Sequence, residues 1–375
     1  MIVTGIKVNR TRKKVAWGKA GLAFMSVLSL FLILKEPSLS IDYVERGMKL
    51  CITTVIPSLF PFMVVSELIV LCGAAEFIGR PLDRLSRALF GVSGEGASAL
   101  VLGTVCGFPV GTRVALSLFR EERISYGELL RLICFSNNPS SAFVISAVGS
   151  TLFGSHRFGV ALYFITLASS FLVGIGQNIL LGRGKGFSQR VTSVAEKKEN
   201  KGISTFPDAV SSSAFAMLKI CAFVVFFSTF TGVFDTLLSS FHLSQTVKAA
   251  LFSFFELTCG VSAAAGIKDT LAATLVAAFA VGWSGLSVHF QMVGICEGID
   301  LPFRRYFFAK LCQGLINVLL MGVYFRIFRE NIVFDAESVG AFLVYDTSLS
   351  PLVISVLACF FVCVAVGTFW RIKRR

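Results

Sequence analysis

Apolar stretches of about twenty residues recur along this chain, and several are interrupted by short polar or glycine-rich motifs. Residues 15–34 form one run long enough to cross a bilayer. It follows Lys7, Arg10, Arg12, Lys13 and Lys14, with no small-x-small cleavage site behind it. An uncleaved helix with a cytoplasmic N-terminus is expected. Residues 50–74 form a second span, and Pro57 and Pro61 within it predict a kink. The run 97–119 has basic residues on both flanks: Arg80, Arg84 and Arg87 before it, Arg120 and Arg123 after it. Both ends therefore favour the cytoplasm, which a re-entrant hairpin satisfies and a full crossing does not.

The remaining runs complete one path. Residues 126–152 cross outward, interrupted at 136–141, and 158–181 return. The loop 183–201 is basic. Residues 209–238 cross outward, and 250–266 form a second glycine- and alanine-rich piece with Glu256 inside it. Residues 271–299 are an interrupted span, broken around Ser284 and Ser287. Arg304, Arg305 and Lys310 are read as its cytoplasmic end, 307–328 lead outward, and 352–370 return to a basic cytoplasmic C-terminus.

This path predicts an all-α polytopic membrane protein. Five segments are expected: an N-terminal transmembrane anchor (1–44), a first repeat unit (45–182), a basic cytoplasmic linker (183–207), a second, inverted unit (208–328), and an acidic outer loop with a final transmembrane helix (329–375). Each unit runs span, hairpin, broken span, span. Cys106–Gly107 and Cys259–Gly260 fall at similar places in the two units, as do Asn137 with Ser140 and Ser284 with Ser287. An inverted repeat with substrate held by broken helices is the plan of many secondary transporters.

Composition agrees with this class. The 375 residues are 55% hydrophobic and 15% charged, with mean hydropathy +0.77. That is too apolar for a soluble domain of this length. The net charge of +13 sits at the ends of apolar runs, so it reads as orientation in the lipid bilayer and not as a nucleic-acid surface. The ten cysteines are scattered through apolar runs with no CxxC pair, where cysteine behaves as a small apolar residue. No cofactor, metal site or catalytic constellation is expected, and the chain is not read as an enzyme.

The candidate chemistry lies in the interruptions. Gly107, Phe108, Pro109, Gly111, Thr112 and Arg113 form the expected tip of the first hairpin. Glycine lets backbone approach a ligand, exposed N–H groups at a helix start favour an anion, and Arg113 suits a carboxylate. The alternative for Arg113 is a snorkelling position at the cytoplasmic rim. Asn137, Asn138, Ser140 and Ser141 supply uncharged donors and acceptors around a helix break. In the second unit Thr258, Gly260, Ser284 and Ser287 are the counterparts, and Glu256 is a candidate coupling carboxylate because acids at membrane depth are costly. Glu67, Lys219 and Asp235 raise the same question nearer helix ends. His289 reads as a packed polar residue.

Residues 52–62 (ITTVIPSLFPF), 107–111 (GFPVG) and 135–139 (FSNNP) resemble the YlbJ (SpoVV) family of sporulation integral membrane proteins, over about residues 45–325. That family carries the nucleoside-recognition gate domain and is similar to the concentrative nucleoside transporters, which have two re-entrant hairpins and two broken helices. The resemblance implies transport of a small organic anion, dipicolinic acid, across the outer forespore membrane. It also implies that Arg113 meets the carboxylates and Phe108 stacks on the ring. Alternatives are a nucleoside or other small-solute transporter, or a non-transporting protein of spore-envelope assembly. The motif GWSGLS departs from the SNNP pattern, and a homo-oligomer is neither required nor excluded by the sequence.

Overall fold

The computed structural model describes residues 26–180 and 205–328, apart from residues 28, 32, 73, 240, 297 and 300. The basic linker, the acidic loop, the last span and most of the first span lie outside the described residues. Every regular element among the described residues is helical.

Helix α1 (Pro37–Leu50) runs through a π turn (Cys51–Val55) into α2 (Ile56–Leu71). The π turn directly precedes Pro57, whose missing N–H disrupts the ladder to the residues before it. The expected span at 50–74 is thus the second part of a longer element. A short helix α3 (Ala75–Gly79) and a 3₁₀ turn lead to α4 (Asp83–Phe90), which ends at Gly91 in the left-handed region. Helix α5 (Gly94–Cys106) starts on a Ser93 cap and is followed by α6 (Val110–Arg120). Ser125 and Glu128 form a reciprocal capping box that starts α7 (Tyr126–Phe135). The chain is unwound at 136–140, then continues as a π-type helix (Ala142–Leu152) and α8 (His156–Leu180).

The second set begins with the long α9 (Thr205–Ser239). A Ser244 cap opens α10 (Gln245–Phe255), and Glu256 caps α11 (Leu257–Ala265). Asp269 caps α12 (Thr270–Trp283), which breaks at Ser284 before α13 (Gly285–Ile295), and α14 (Phe303–Phe328) follows. Among the described residues, four helical stretches are long and apolar enough to cross a membrane: His156–Leu180, Thr205–Thr236, Thr270–Ile295 and Phe303–Phe328. A fifth crossing exists if Phe77–Phe90 and Gly94–Cys106, bent by 91° from each other, count as one. The chain is a multi-pass membrane protein.

Two apolar cores hold the helices together. The first gathers Met63, Phe90, Val114, Leu132, Phe135 and Met292; the second gathers Val148, Leu162, Val261, Ala280, Val281 and Met321. Four elements contribute to both cores, and each changes from apolar to polar between them. On the α7 path the change is the unwound 136–140. On α8 it is Thr166, Ser169 and Ser170, between Leu162 of the second core and Val173 of the first. On the α12–α13 path it is Ser284, Ser287 and His289. On α14 it is Lys310, Gln313 and Asn317, between Ala309 of the first core and Met321 of the second. The polar side chains named here are all buried. Buried polar groups survive only where they are hydrogen-bonded, so this seam has to be a network.

Candidate functional site

The α5–α6 pair turns at Gly107, and the turn rests on the first break. Gly107 has φ 80° and ψ −176°, a conformation that side chains resist. A Cβ there would also overlap the backbone nitrogen of Ser140. The Phe108 N–H donates to the Asn138 carbonyl at 2.6 Å, so hairpin tip and unwound strand are joined main chain to main chain. Pro109 is buried at the start of α6, and Gly111 lies where α6 meets Gly103 of α5 and the Ser136 carbonyl. Ser140 accepts from the Phe143 N–H at 3.2 Å and starts the π-type segment; Ser141 beside it is half-buried.

Side chains of α8 and α14 close the seam around this break. Asn138 Nδ2 donates to the Phe135 carbonyl and to Ser170 Oγ, each at 2.9 Å, and its Oδ1 accepts from Gln313 Nε2 at 2.7 Å. Lys310 Nζ donates to the Asn137 carbonyl at 3.0 Å and to Gln313 Oε1 at 2.8 Å. Asn137 Nδ2 donates to the Tyr306 hydroxyl at 2.9 Å. One turn further along α14, Asn317 Nδ2 donates to Thr166 Oγ1 and to the Ala278 carbonyl of α12, while its Oδ1 accepts from Ser169. The backbone groups freed by Pro139 thus find partners inside the protein, as backbone at membrane depth must.

The second pair, α10–α11, turns at Glu256, and it too rests on a break. Gly285, at φ 76°, has the Leu257 nitrogen and Glu256 Cα about where a side chain would go, at 2.9 and 3.0 Å. Ser284 itself is left-handed at φ 70°. Glu256 is buried and accepts from the Cys259 N–H at 2.7 Å. Trp283 fills the junction: its Nε1 donates to the Phe254 carbonyl at 3.0 Å, and its ring stacks 5.3 Å from Phe254 and lies 4.2 Å from His289. His289 Nδ1 meets the Gly285 carbonyl at 2.7 Å, and Ser287 accepts from Gln291 Nε2. The break falls at Glu256, three residues before Cys259. Cys259–Gly260 is therefore not level with Cys106–Gly107: Thr258 and Gly260 lie within α11, and Gly260 packs on Ser253 of α10.

Arg113 is buried, not at a rim. Its Nη2 lies 3.4 Å from Glu67 Oε2 and donates to Ser212 Oγ at 3.1 Å, while Ser117 donates to Glu67 Oε1. It joins α6 to α2 and α9. Thr112 next to it is buried with no partner for Oγ1 among the described residues. Asp235 pairs with Lys248 at 3.2 Å, and Lys219 reaches the Gly294 carbonyl.

Lys310 is where the sequence reading needs correction. It was grouped with Arg304 and Arg305 as a cytoplasmic marker, yet it is fully buried in the seam. Tyr306, Gln313 and Asn317 were missed with it. The signal was present: positions 306, 310, 313 and 317 recur every three or four residues, one polar face on an otherwise apolar helix. Thr166, Ser169 and Ser170 form the matching face of α8.

A cavity of about 520 Å³ lies apart from the seam, between α1, α9 and residues 29 and 33, walled mainly by Val44, Leu218, Val225 and Phe230. Its lining is nearly all apolar and brings no ionisable group together.

No family model matches the chain, and no solved structure matches it. It is similar to the sporulation integral membrane protein YlbJ of Bacillus subtilis (strain 168), with 27% identity over 315 residues, 76% of this chain and 77% of that protein. The likeness extends over about three quarters of both chains.

Proposed function

We propose that this protein carries a small organic anion across a membrane, and that the anion is dipicolinic acid taken across the outer forespore membrane during sporulation. One observation carries the reading: two helix breaks, each braced by a hairpin tip, lie in a buried polar seam between two apolar cores. A scaffold needs apolar packing and has no use for unwound main chain lined by buried amides and hydroxyls, whereas a carrier does. The element order long helix, hairpin, broken helix, long helix occurs in both sets. In our reading the two sets are inverted units, the hairpins are re-entrant, and each junction forms half of the solute path. Asn137, Asn138 and Ser140 bind the solute from one side, Ser284 and Ser287 from the other, and Glu256 carries the coupling ion. The relative's name supplies sporulation and a membrane location for this chain as part of the proposal.

A neutral solute such as a nucleoside is the second reading. It is favoured by the four amides of the seam, Asn137, Asn138, Gln313 and Asn317, which hydrogen-bond without charge. Uptake of labelled dipicolinate and of labelled nucleoside into lipid vesicles carrying the purified protein separates the two. Accumulation of dipicolinate above empty vesicles is expected. Accumulation of nucleoside alone would favour the second reading, and no accumulation of either would remove the carrier assignment.

A further inference from the structure

We propose that Lys310 is the counter-charge for one carboxylate of the solute, bound where the first break meets α14; this rests on the carrier reading above. The argument begins with the cost of the charge. An ammonium group taken out of water costs several kcal/mol unless it is paired and fully hydrogen-bonded. Lys310 is completely buried, and among the described residues no carboxylate lies within ion-pair distance of it. Its two acceptors, the Asn137 carbonyl and Gln313 Oε1, are neutral. A protonated Lys310 is thus held in place but not offset.

Arg113 makes the contrast. It is buried to a similar degree and has Glu67 at 3.4 Å, so its charge is already answered by the protein. Arg131, also buried, donates to the Gly91 carbonyl at 2.7 Å and so secures the end of α4. Lys310 differs from both in its surroundings. Its acceptor is the unwound main chain itself, and beside it Asn137 Oδ1 is buried without a partner among the described residues. Asn137 leads through the Tyr306 hydroxyl to His289, whose ring lies 5.0 Å from that of Tyr306 and whose Nε2 is likewise buried with no partner among the described residues. Trp283 and Phe307 flank the same ring at 4.2 and 5.9 Å. One cation, two unused polar atoms and flat aromatic walls suit a small aromatic acid presenting a single carboxylate to the lysine.

The test compares ligands as well as variants. Binding of dipicolinate and of its neutral diamide is measured on the full-length protein in detergent, for wild type, Lys310→Arg, Lys310→Gln and Lys310→Met, together with each unfolding midpoint. Removing one partner of a buried charge pair predicts a loss of about a hundred-fold for dipicolinate with Gln or Met, against a change of about three-fold or less for the diamide. Arginine should keep part of the dipicolinate affinity. Equal losses for both ligands, or none for either, would overturn the proposal, as would a wild-type protein that folds and binds neither. Lysine-dependent binding without uptake in vesicles would uphold the Lys310 site and refute the carrier reading.

Discussion

The two junctions use the same backbone device and opposite chemistry. In each, a hairpin tip presses on a break in a neighbouring helix at a positive-φ glycine, Gly107 against Ser140 and Gly285 against Glu256 and Leu257. At the first, five residues are unwound, and amides, hydroxyls and one lysine hold them. At the second, one residue is unwound, and a tryptophan fills the space against Phe254, His289 and Phe307. The brace is thus a structural constant, while what it braces is set by side chains. A long polar break leaves main chain available for a solute. A short break packed by an indole leaves less main chain, so in the carrier reading Ser284 and Ser287 meet the solute there through their side chains.

The largest expected effect comes from the shared part. Gly107→Ala puts a side chain into a glycine-only conformation and into the Ser140 backbone, and should cost about 4 kcal/mol. Gly285→Ala meets the Leu257 nitrogen at 2.9 Å in a left-handed conformation that other residues tolerate better, and should cost about 2 kcal/mol. Unfolding midpoints of the two variants in one detergent measure the difference. Equal losses would mean that the two tips bear equally on their breaks and that the first has no special tightness.

A smaller effect separates two adjacent amides. Asn138 makes three hydrogen bonds, to Phe135, Ser170 and Gln313, so Asn138→Ala leaves several buried groups unsatisfied and should cost about 3 kcal/mol. Asn137 makes one side-chain bond, to Tyr306, and its Oδ1 is unpartnered; Asn137→Ala should cost about 1 kcal/mol. If the first junction binds solute, uptake normalised to folded protein falls further for Asn137→Ala than for Asn138→Ala. The reverse ranking would move the binding role away from the Asn137 side chain.

How much of this was legible in the sequence follows from the range of the forces involved. The breaks at 107–109 and 136–140 were readable because glycine, proline and amides are locally incompatible with a plain apolar helix. The capping residues of α7 and α12 act over three or four residues and could be read equally well. The contact of each tip with its own break could not, since Gly107 meets Ser140 across 33 positions through tertiary packing alone. Glu256 was recognised as costly, but its part as the cap that opens α11 was not read, and the likeness of Cys259–Gly260 to Cys106–Gly107 drew the comparison three residues too far along. Lys310 was read by its neighbours in sequence, Arg304 and Arg305, when its helical period grouped it with Gln313 and Asn317. Arg113 carried the expected charge, and only the fold could show Glu67, 46 positions away, beside it.

The smallest expected change in stability probes the second junction where it is most polar. Glu256 accepts from the Cys259 N–H at the start of α11, a position where a negative charge also suits the helix dipole. Glu256→Gln keeps the size and the acceptor and removes the charge, so it should cost about 1 kcal/mol or less. A cap and a coupling group then part company in transport. If Glu256 only caps, both gradient-driven uptake and solute-for-solute exchange persist near wild-type rates. If it also carries the coupling ion, uptake loses its response to the ion gradient while exchange continues, because exchange returns the carrier loaded and needs no net movement of the ion. The second outcome is expected from a buried carboxylate that meets a break as well as a helix start. It would make the plugged junction the driving half of the carrier and the open one the binding half.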